Sequence, residues 1–233
     1  EMYGARLYGG RLVVIPKMTA REPRLFLGVL NDHRVTVLNQ TPSAFYNLVH
    51  EELSAGEHNL ELRYVIFGGE ALHPAKLAGW RELYPETRLI NMFGITETCV
   101  HVTFKEIGDK EIASGLSNIG GPIPTLSTYI FDENIMLRPY GTPGELCVGG
   151  DGVARGYLNR PQLTSERFIS NPYKSDEKLY RSGDLARLLP GGEMEYLGRI
   201  DHQVQVRGFR IELGEIESRL QEFPPVKDVV VLA

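Results

Sequence analysis

Residues 88–98 read Arg-Leu-Ile-Asn-Met-Phe-Gly-Ile-Thr-Glu-Thr. The first three residues of this segment have the apolar character of a strand. An amide, an aromatic ring, a hydroxyl and a carboxylate follow between Asn91 and Glu97. In open parallel sheets, ligands bind outside the carboxyl ends of the strands. The segment therefore predicts a strand of a parallel sheet that leads directly into a ligand-binding loop.

The residues before this segment alternate short apolar runs with amphipathic helices. Apolar residues such as Leu77, Trp80 and Leu83 are spaced three apart, which places them on one helix face. Strands and helices that alternate at this length indicate βαβ units and a parallel sheet. The predicted strands comprise residues 12–15, 35–38, 64–67 and 88–90.

The pattern changes after about residue 115, where short alternating strands and glycine-rich turns replace the helices. A third pattern begins near Asp201. Its predicted elements are a hairpin over residues 203–206 and 209–213, a helix over residues 214–223 and a strand over residues 226–232. We therefore predict an α/β fold: a parallel βαβ subdomain, a β-barrel-like subdomain and the start of a small α+β C-terminal subdomain. The predicted ranges are 1–115, 116–200 and 201–233. The last subdomain has no room to finish, so we expect a truncated fold.

Three predicted strand ends carry residues that suit a nucleotide: residues 39–42, 68–71 and 91–98. The glycine backbone at Gly68 and Gly69 would let a planar ring approach closely. An amide and a ring suit a purine, and a hydroxyl and a carboxylate suit a phosphate and its Mg²⁺. Turn glycines and a solvated Glu97 would explain the same residues equally well, so the residues by themselves leave both interpretations open.

Composition excludes several classes of protein. The net charge of −5, with acids and bases interspersed, argues against a nucleic-acid surface. No run of about 18 apolar residues is present, so no membrane span is expected. Two distant cysteines, Cys99 and Cys147, argue against a disulfide framework and favour a reducing cytoplasm. The sequence contains neither GxxxxGK[ST] nor GxGxxG, so Walker and Rossmann nucleotide sites are excluded.

Four sequence blocks carry a family resemblance. Residues 91–98 resemble the N-x-[YF]-G-x-T-E core of adenylate-forming enzymes. Three more blocks follow in the order found in that family: GELCVGGDGVARGYL at 144–158, YRSGDL at 180–185 and GRIDHQVQVRGFRIELGEIE at 198–217. Ser182 replaces the usual threonine, and Gln205 stands where lysine is common. The blocks are closer to those of nonribosomal peptide synthetase adenylation domains than to those of acyl-CoA synthetases or luciferases.

The resemblance implies that these residues bind ATP. Asn91 would pair with the adenine amino group, while Phe93 and Gly69 would flank the ring. Thr96 would contact the α-phosphate and Glu97 would hold Mg²⁺, so these two are the candidate catalytic residues. The full set of expected nucleotide contacts is Gly68, Gly69, Glu70, Asn91, Met92, Phe93, Gly94, Thr96, Asp184, Tyr196 and Arg199.

Four of the implied roles fall in the last third of the chain. Asp184 would bind both ribose hydroxyls, with each charge-assisted bond worth roughly 1.5–3 kcal/mol. Tyr196 would stack near the adenine, although it could also be a core residue. Arg199 would approach the ribose or phosphates, or else form an ion pair at the hinge. Asp201 would be that hinge, and Gly208 would lie in a loop that moves toward the active site. Gln205 is expected to make no nucleotide contact.

The implied reaction is attack of an amino-acid carboxylate on the α-phosphorus of ATP, which releases pyrophosphate and leaves an aminoacyl-adenylate. Catalysis would come from positioning and from cations at the phosphates. The product would pass to the phosphopantetheine thiol of a peptidyl carrier protein, and a small MbtH-like activator is a further partner that the family admits. The family's phosphate loop and substrate-binding aspartate would precede Glu1, and its catalytic lysine would follow Ala233. We therefore expect residues 1–233 alone to be inactive or nearly so.

Offsets known for peptide synthetases identify the residues of the side-chain pocket. Gly68 would leave space and apolar residues would limit it, while Asn39 and His101 would add hydrogen-bonding groups without a fixed charge. Such a pocket suits a small side chain with a methyl and a hydroxyl. The pocket residues, read in sequence order, also resemble those of threonine-activating domains. The predicted substrate is L-threonine, followed by serine. The expected pocket residues are Asn39, Ile66, Gly68, Met92, Val100 and His101.

Two other functions fit the motifs less well. An acyl- or aryl-acid:CoA ligase shares the GxTE core. A non-catalytic binding module would keep the fold without the chemistry, but the intact Thr96, Glu97 and Asp184 argue against it. An aspartate in the sequence before Glu1 would favour the amino-acid enzyme over the ligase.

Overall fold

The structure is a computed structural model that describes residues 2–55, 58–201, 203–206, 208–223, 225–226 and 228–232. The α-helices of this part of the chain are α1 (Met2–Leu7), α2 (Lys17–Arg21), α3 (Pro23–Asp32), α4 (Pro42–Ser54), α5 (Ala78–Leu83), α6 (Asp109–Ser114), α7 (Pro161–Arg167) and α8 (Leu213–Gln221). The strands are β1 (Val37–Gln40), β2 (Tyr64–Phe67), β3 (Arg88–Asn91), β4 (Thr103–Ile107), β5 (Asn118–Pro122), β6 (Leu126–Phe131), β7 (Gly144–Gly150), β8 (Phe168–Ser170), β9 (Lys178–Leu188), β10 (Met194–Arg199), β11 (Gln203–Val206) and β12 (Phe209–Glu212).

The first three strands form the predicted parallel sheet. β1 pairs with β2, and β2 pairs with β3, both in parallel and in register from end to end. Pro42 begins α4, where its missing N–H costs nothing. Helix α4 then crosses back over the sheet and brings the next strand alongside the first. The carboxyl ends of all three strands therefore lie at one edge, as the sequence predicts.

Helices α3, α4 and α5 cover one face of this sheet with a buried aromatic cluster. The ring of Phe45 lies 5.1 Å from that of Phe67 and 4.9 Å from that of Trp80, both edge to face. All three side chains are fully buried. Truncating such a residue to alanine typically costs about 3–5 kcal/mol, so this cluster fixes how the helices sit on the strands.

The remaining core strands continue the same sheet with antiparallel pairing. The order is β1-β2-β3-β4-β5-β10-β9-β7-β6, with β8 beside β9. β4 joins the two parts, because it pairs antiparallel with β3 on one side and with β5 on the other. This continuation places β5 and β10 close to the carboxyl ends of the parallel strands. The α/β fold class is confirmed, and the division near residues 115 and 200 stays a prediction.

The C-terminal part contains the predicted hairpin and helix. β11 and β12 pair antiparallel from Gln203↔Glu212 to Val206↔Phe209, and α8 follows directly. Residues 226 and 228–232 form no strand, so the predicted closing strand is wrong for this described part of it. Residue 227 lies outside the described residues. A β-strand needs a partner for its backbone groups, whereas Val231 N–H donates to the Glu217 carboxylate instead.

Two N-terminal predictions also differ from the structure. Residues 12–15 are predicted to form a strand but have no regular secondary structure. Val14 is 83% exposed, and none of the described strands pairs with this segment to bond its backbone groups. The strand predicted at residues 35–38 is β1, which begins two residues later. No helix within the described residues has the length and apolar character that crossing a membrane requires.

Candidate functional site

A cavity of about 540 Å³ opens at the carboxyl ends of β1, β2 and β3. Fifteen residues predicted for the site border it, together with Gly208 of the C-terminal hairpin. The fifteen are Asn39, Ile66, Gly68, Gly69, Glu70, Asn91, Met92, Phe93, Gly94, Thr96, Val100, His101, Asp184, Tyr196 and Arg199. The strand-end rule therefore locates the cavity correctly.

One wall of the cavity has an amide beside two aromatic rings. The buried Asn91 donates its side-chain N–H to the Asn118 carbonyl at 2.9 Å. This bond fixes the amide so that its oxygen is the acceptor an adenine amino group requires. Phe93 and Tyr196 lie with ring centroids 5.8 Å apart. Burial, aided by the Asp184 charge, raises the pKa of the Tyr196 phenol to about 12, so it stays neutral.

Backbone at Gly69 and Gly94 keeps this wall open. Gly69 has φ +84°, a left-handed conformation that favours glycine. A Cβ at Gly94 would lie 1.5 Å from the Val100 carbonyl oxygen, so no side chain fits there. Because both residues lack side chains, flat backbone faces the cavity, as a planar ligand requires. The amide, rings and glycines together fit a purine.

A second wall of the cavity is built from a carboxylate–arginine network. Arg199 Nη1 donates to Asp184 Oδ1 at 3.0 Å, and Asp184 is only 4% exposed. Arg199 also donates to both oxygens of Asp201, from Nε at 2.7 Å and from Nη2 at 2.6 Å. Burial alone would lower the pKa of Arg199, but the Asp201 hydrogen bonds and the Asp184 charge outweigh it. The guanidinium therefore stays charged.

Asp201, the predicted hinge, is held beside the cavity by this network. It does not border the cavity itself. Burial opposes its ionisation, but the hydrogen bonds from Arg199 prevail and the pKa of Asp201 is lowered. Arg167 Nη2 lies 3.9 Å from the same carboxylate. Arg199 thus borders the cavity and forms an ion pair with Asp201, so both roles considered for it stay predictions.

Thr96 and Glu97 are adjacent in sequence but differ in their surroundings. Thr96 is exposed and borders the cavity, whereas Glu97 is not among the described residues that do so. Glu97 Oε1 accepts a hydrogen bond from Tyr157 OH at 2.7 Å. The described residues contain no group of three or more His, Cys, Asp or Glu that could hold a metal. A Mg²⁺ held mainly by phosphates needs only one carboxylate, and Glu97 can supply it.

The side-chain end of the cavity has the residues predicted for the substrate pocket. A Cβ on Gly68 would lie 3.7 Å from Cε1 of His101, so the imidazole lies over the glycine. Ile66 and Met92 are half-buried beside them. Val100 borders the cavity but is 63% exposed, so it supplies less wall than expected.

Glu70 contacts the protein backbone on both sides of the cavity mouth. Its Oε2 accepts a hydrogen bond from Ser43 N at 3.0 Å, and its Oε1 accepts one from Gly208 N at 3.0 Å. The turn of the β11–β12 hairpin is thereby joined to the start of α4. A nucleotide contact is predicted for Glu70, but in the structure its carboxylate oxygens bond backbone N–H groups of the protein.

The sequence interpretation missed several bordering residues, among them Ser117 and Ile119. Ser117 directly precedes β5 and Ile119 lies on it, and this antiparallel strand is outside the family blocks. The strand-end rule applies to parallel strands only, and neither residue belongs to a recognisable motif. Their proximity depends on the pairing of β5 with β10, which the sequence does not reveal.

Comparisons with known proteins agree with this fold and site. The sequence model of the AMP-binding enzyme family matches residues 1–158. A plipastatin synthase polypeptide of Bacillus subtilis (strain 168) is 57% identical over 232 residues, which cover 100% of this chain and 9% of that protein. The dimodular nonribosomal peptide synthase of the same organism is 51% identical over 239 residues, covering 100% of this chain and 10% of that protein. The chain belongs to the AMP-binding enzyme family, as a nonribosomal peptide synthetase adenylation domain.

Solved structures show the same fold. The crystal structure of IdnL1 matches with a TM-score of 0.84 and 28% identity, covering 96% of this chain and 47% of that one. PA1221, described as an NRPS protein containing adenylation and PCP domains, matches with a TM-score of 0.83 and 26% identity, covering 96% and 45%. The chain thus spans less than half of these structures and about a tenth of the curated relatives above.

Proposed function

We propose that the cavity binds ATP and a small hydroxylated amino acid and joins them as an aminoacyl-adenylate. The observation that carries this proposal is the meeting of two walls in one cavity. The Asn91 amide with the Phe93 and Tyr196 rings suits a purine, and the Asp184 carboxylate suits ribose hydroxyls. The 15 site residues come from segments far apart in sequence, so their convergence supports a single binding site.

The residues position the substrates, and no protein nucleophile is required. The amino-acid carboxylate attacks the α-phosphorus of ATP, the bond to the pyrophosphate oxygen breaks, and pyrophosphate leaves. Thr96, exposed in the cavity, donates to the α-phosphate. Mg²⁺, held by Glu97, would neutralise phosphate charge. Arg199 keeps its positive charge and adds to the field around the nucleotide.

We propose L-threonine as the amino acid. Gly68 leaves room beside His101, and Ile66 and Met92 limit the space with apolar side chains. His101 and Asn39 supply hydrogen-bonding groups for a side-chain hydroxyl. A site that bonds a hydroxyl discriminates strongly against an analogue that lacks it, because its own polar groups then lose a partner.

Transfer to a carrier protein is the proposed second step. The adenylate carbonyl is attacked by the thiol of a phosphopantetheine arm, and AMP leaves. In support, the hairpin that carries Gly208 lies at the cavity mouth, next to the proposed hinge at Asp201.

The test is amino-acid-dependent exchange of labelled pyrophosphate into ATP by the complete adenylation domain that contains these residues. Threonine should give the highest rate in a panel that includes serine, valine, alanine and leucine. A higher rate with valine than with threonine would refute the threonine proposal. Absence of exchange with every amino acid, despite exchange with carboxylic acids lacking an amine, would favour an acid:CoA ligase.

A further inference from the structure

Ser117 borders the cavity, and its hydroxyl oxygen is buried without a hydrogen-bond partner among the described residues. A buried polar atom that lacks a partner loses its bonds to water and gains nothing in return, which typically costs about 1–3 kcal/mol. Most buried polar atoms in folded proteins are therefore paired. An unpaired hydroxyl at the edge of a binding cavity indicates a partner that arrives with the ligand.

The position of Ser117 relates it to the purine wall. Tyr196 N–H donates to the Ser117 carbonyl at 2.9 Å, and the Asn91 side chain donates to the carbonyl of the next residue, Asn118. Ser117 therefore lies between the amide and one of the two rings. Ser117 directly precedes β5. Ile119, two residues further on, also borders the cavity and packs in the same cluster as Phe93 and Tyr196.

Two other buried hydroxyls of the described residues do not have this combination. Ser127 Oγ and Thr103 Oγ1 are buried and unpaired, but neither residue borders the cavity. Gln40 does border it, and its Oε1 is also unpaired. Strand alternation, however, places the Gln40 side chain on the same face of β1 as Leu38, a residue of the buried helix-covered core. Ser117 therefore combines a buried, unpaired hydroxyl with a position at the cavity beside the purine wall.

We propose that the Ser117 hydroxyl binds the adenine base and donates a hydrogen bond to a ring nitrogen next to the amino group, N1 or N7. This inference rests on the proposed function, since it requires ATP in the cavity. Asn91 would accept from the amino group while Ser117 donates to the neighbouring ring nitrogen. The two side chains together then match the donor–acceptor pattern of adenine. Ser117 acts in nucleotide binding and positioning and takes no part in bond making.

This role predicts opposite effects of Ser117→Ala on binding and on stability. Removal of one hydrogen bond between uncharged groups should raise the KM for ATP roughly 3- to 10-fold in pyrophosphate exchange. The KM for threonine should not change. The thermal midpoint of the free protein should stay the same or rise, because the variant removes an unpaired buried hydroxyl. A residue with a purely structural role would lower the thermal midpoint instead.

The matched control is Ser127→Ala, which removes an equally unpaired buried hydroxyl on β6, away from the cavity. It should leave the KM for ATP unchanged. The ring nitrogen is identified with 1-deaza-ATP and 7-deaza-ATP, each of which lacks one candidate acceptor. With one of them, wild-type protein and Ser117→Ala should have equal KM values, as in a double-mutant cycle. Ser117→Cys keeps a weak donor, so its KM for ATP should fall between those of the wild-type protein and of Ser117→Ala.

Three results would overturn the inference: an unchanged KM for ATP in Ser117→Ala, an equal rise in Ser127→Ala, or a wild-type advantage that persists with both analogues. Failure of the proposed function is distinguishable from these results. In that case the wild-type protein would show no ATP-dependent exchange at all, whatever residue stands at position 117.

Discussion

Asp184 and Arg199 form a buried ion pair in which Nη1 lies 3.0 Å from Oδ1, with 6% and 13% of the two side chains exposed. The two residues face each other across neighbouring antiparallel strands, with Arg199 opposite Asp184 in the β9–β10 register. The same guanidinium holds Asp201 through two further bonds. A single arginine therefore connects the proposed ribose-binding carboxylate to the proposed hinge, so nucleotide binding and hinge position share one charged group.

Asp184→Asn should abolish most activity at a moderate cost in stability. Loss of the charge weakens two ribose bonds, each roughly 1.5–3 kcal/mol, so kcat/KM for ATP should fall about 100-fold or more. Arg199 keeps Asp201 as a partner, and the free energy of unfolding should fall by only about 1–3 kcal/mol in urea titrations.

The control for this variant is Glu195→Gln. Glu195 is also buried and accepts a hydrogen bond from Arg187 at 2.6 Å, but it does not border the cavity. Glu195→Gln should lower the free energy of unfolding by a similar amount and keep normal pyrophosphate exchange. Similar activity losses in both variants would mean that Asp184 acts through stability rather than by binding the ribose.

Glu70→Ala should affect the transfer step more than adenylate formation. In the structure, Glu70 joins the Gly208 turn to the start of α4, an arrangement in which the hairpin lies at the cavity mouth. Loss of this bond should slow loading of a carrier protein about 3- to 10-fold and speed amide exchange at Gly208, seen by hydrogen exchange. Pyrophosphate exchange should change little. Glu70→Gln keeps an acceptor oxygen, so its rate of carrier loading should fall less. An equal fall in carrier loading and in pyrophosphate exchange would contradict a role of Glu70 in the transfer step.

Local sequence patterns predicted the parallel sheet and most of its cavity, because both depend on short-range features. Apolar runs mark β2 and β3, and the residues after them lie at one sheet edge by geometry alone. Ser117 could not be predicted in this way, since its place depends on the pairing of β5 with β10. The strand expected at residues 12–15 shows the converse limit: an apolar run forms no strand without a neighbour to pair with.

Tyr157→Phe should weaken the binding of magnesium and raise the Mg²⁺ concentration that the reaction needs. The phenol donates to Glu97 Oε1 at 2.7 Å, and burial together with hydrogen bonds to Tyr180 and Glu97 raises the pKa of Tyr157, so the donor proton is retained. Residues that orient a metal ligand typically contribute about 10- to 100-fold in metal affinity. The Mg²⁺ concentration for half-maximal exchange should therefore rise about 10-fold. Tyr140→Phe, which alters an exposed phenol, should not change this Mg²⁺ concentration. An unchanged Mg²⁺ concentration for Tyr157→Phe would mean that Glu97 does not hold the metal.

Gly68→Ala should reduce the activity with threonine more than with serine. The added Cβ would lie 3.4 Å from the Met92 carbonyl oxygen and 3.7 Å from Cε1 of His101, which are ordinary contacts, so the protein should fold normally. The methyl occupies space proposed for the threonine methyl group. A misfit of one methyl group is worth roughly 10- to 200-fold in kcat/KM, and serine, which lacks that methyl, should lose much less.

Gly121→Ala is the control for this change, because a Cβ there meets no atom within 4 Å and Gly121 does not border the cavity. It should leave the ratio of threonine to serine activity unaltered in the exchange assay. If Gly68→Ala lowers exchange equally with threonine and serine, the added methyl does not meet the substrate side chain. The pocket would then be closed by other residues, and the threonine proposal would lose its structural basis.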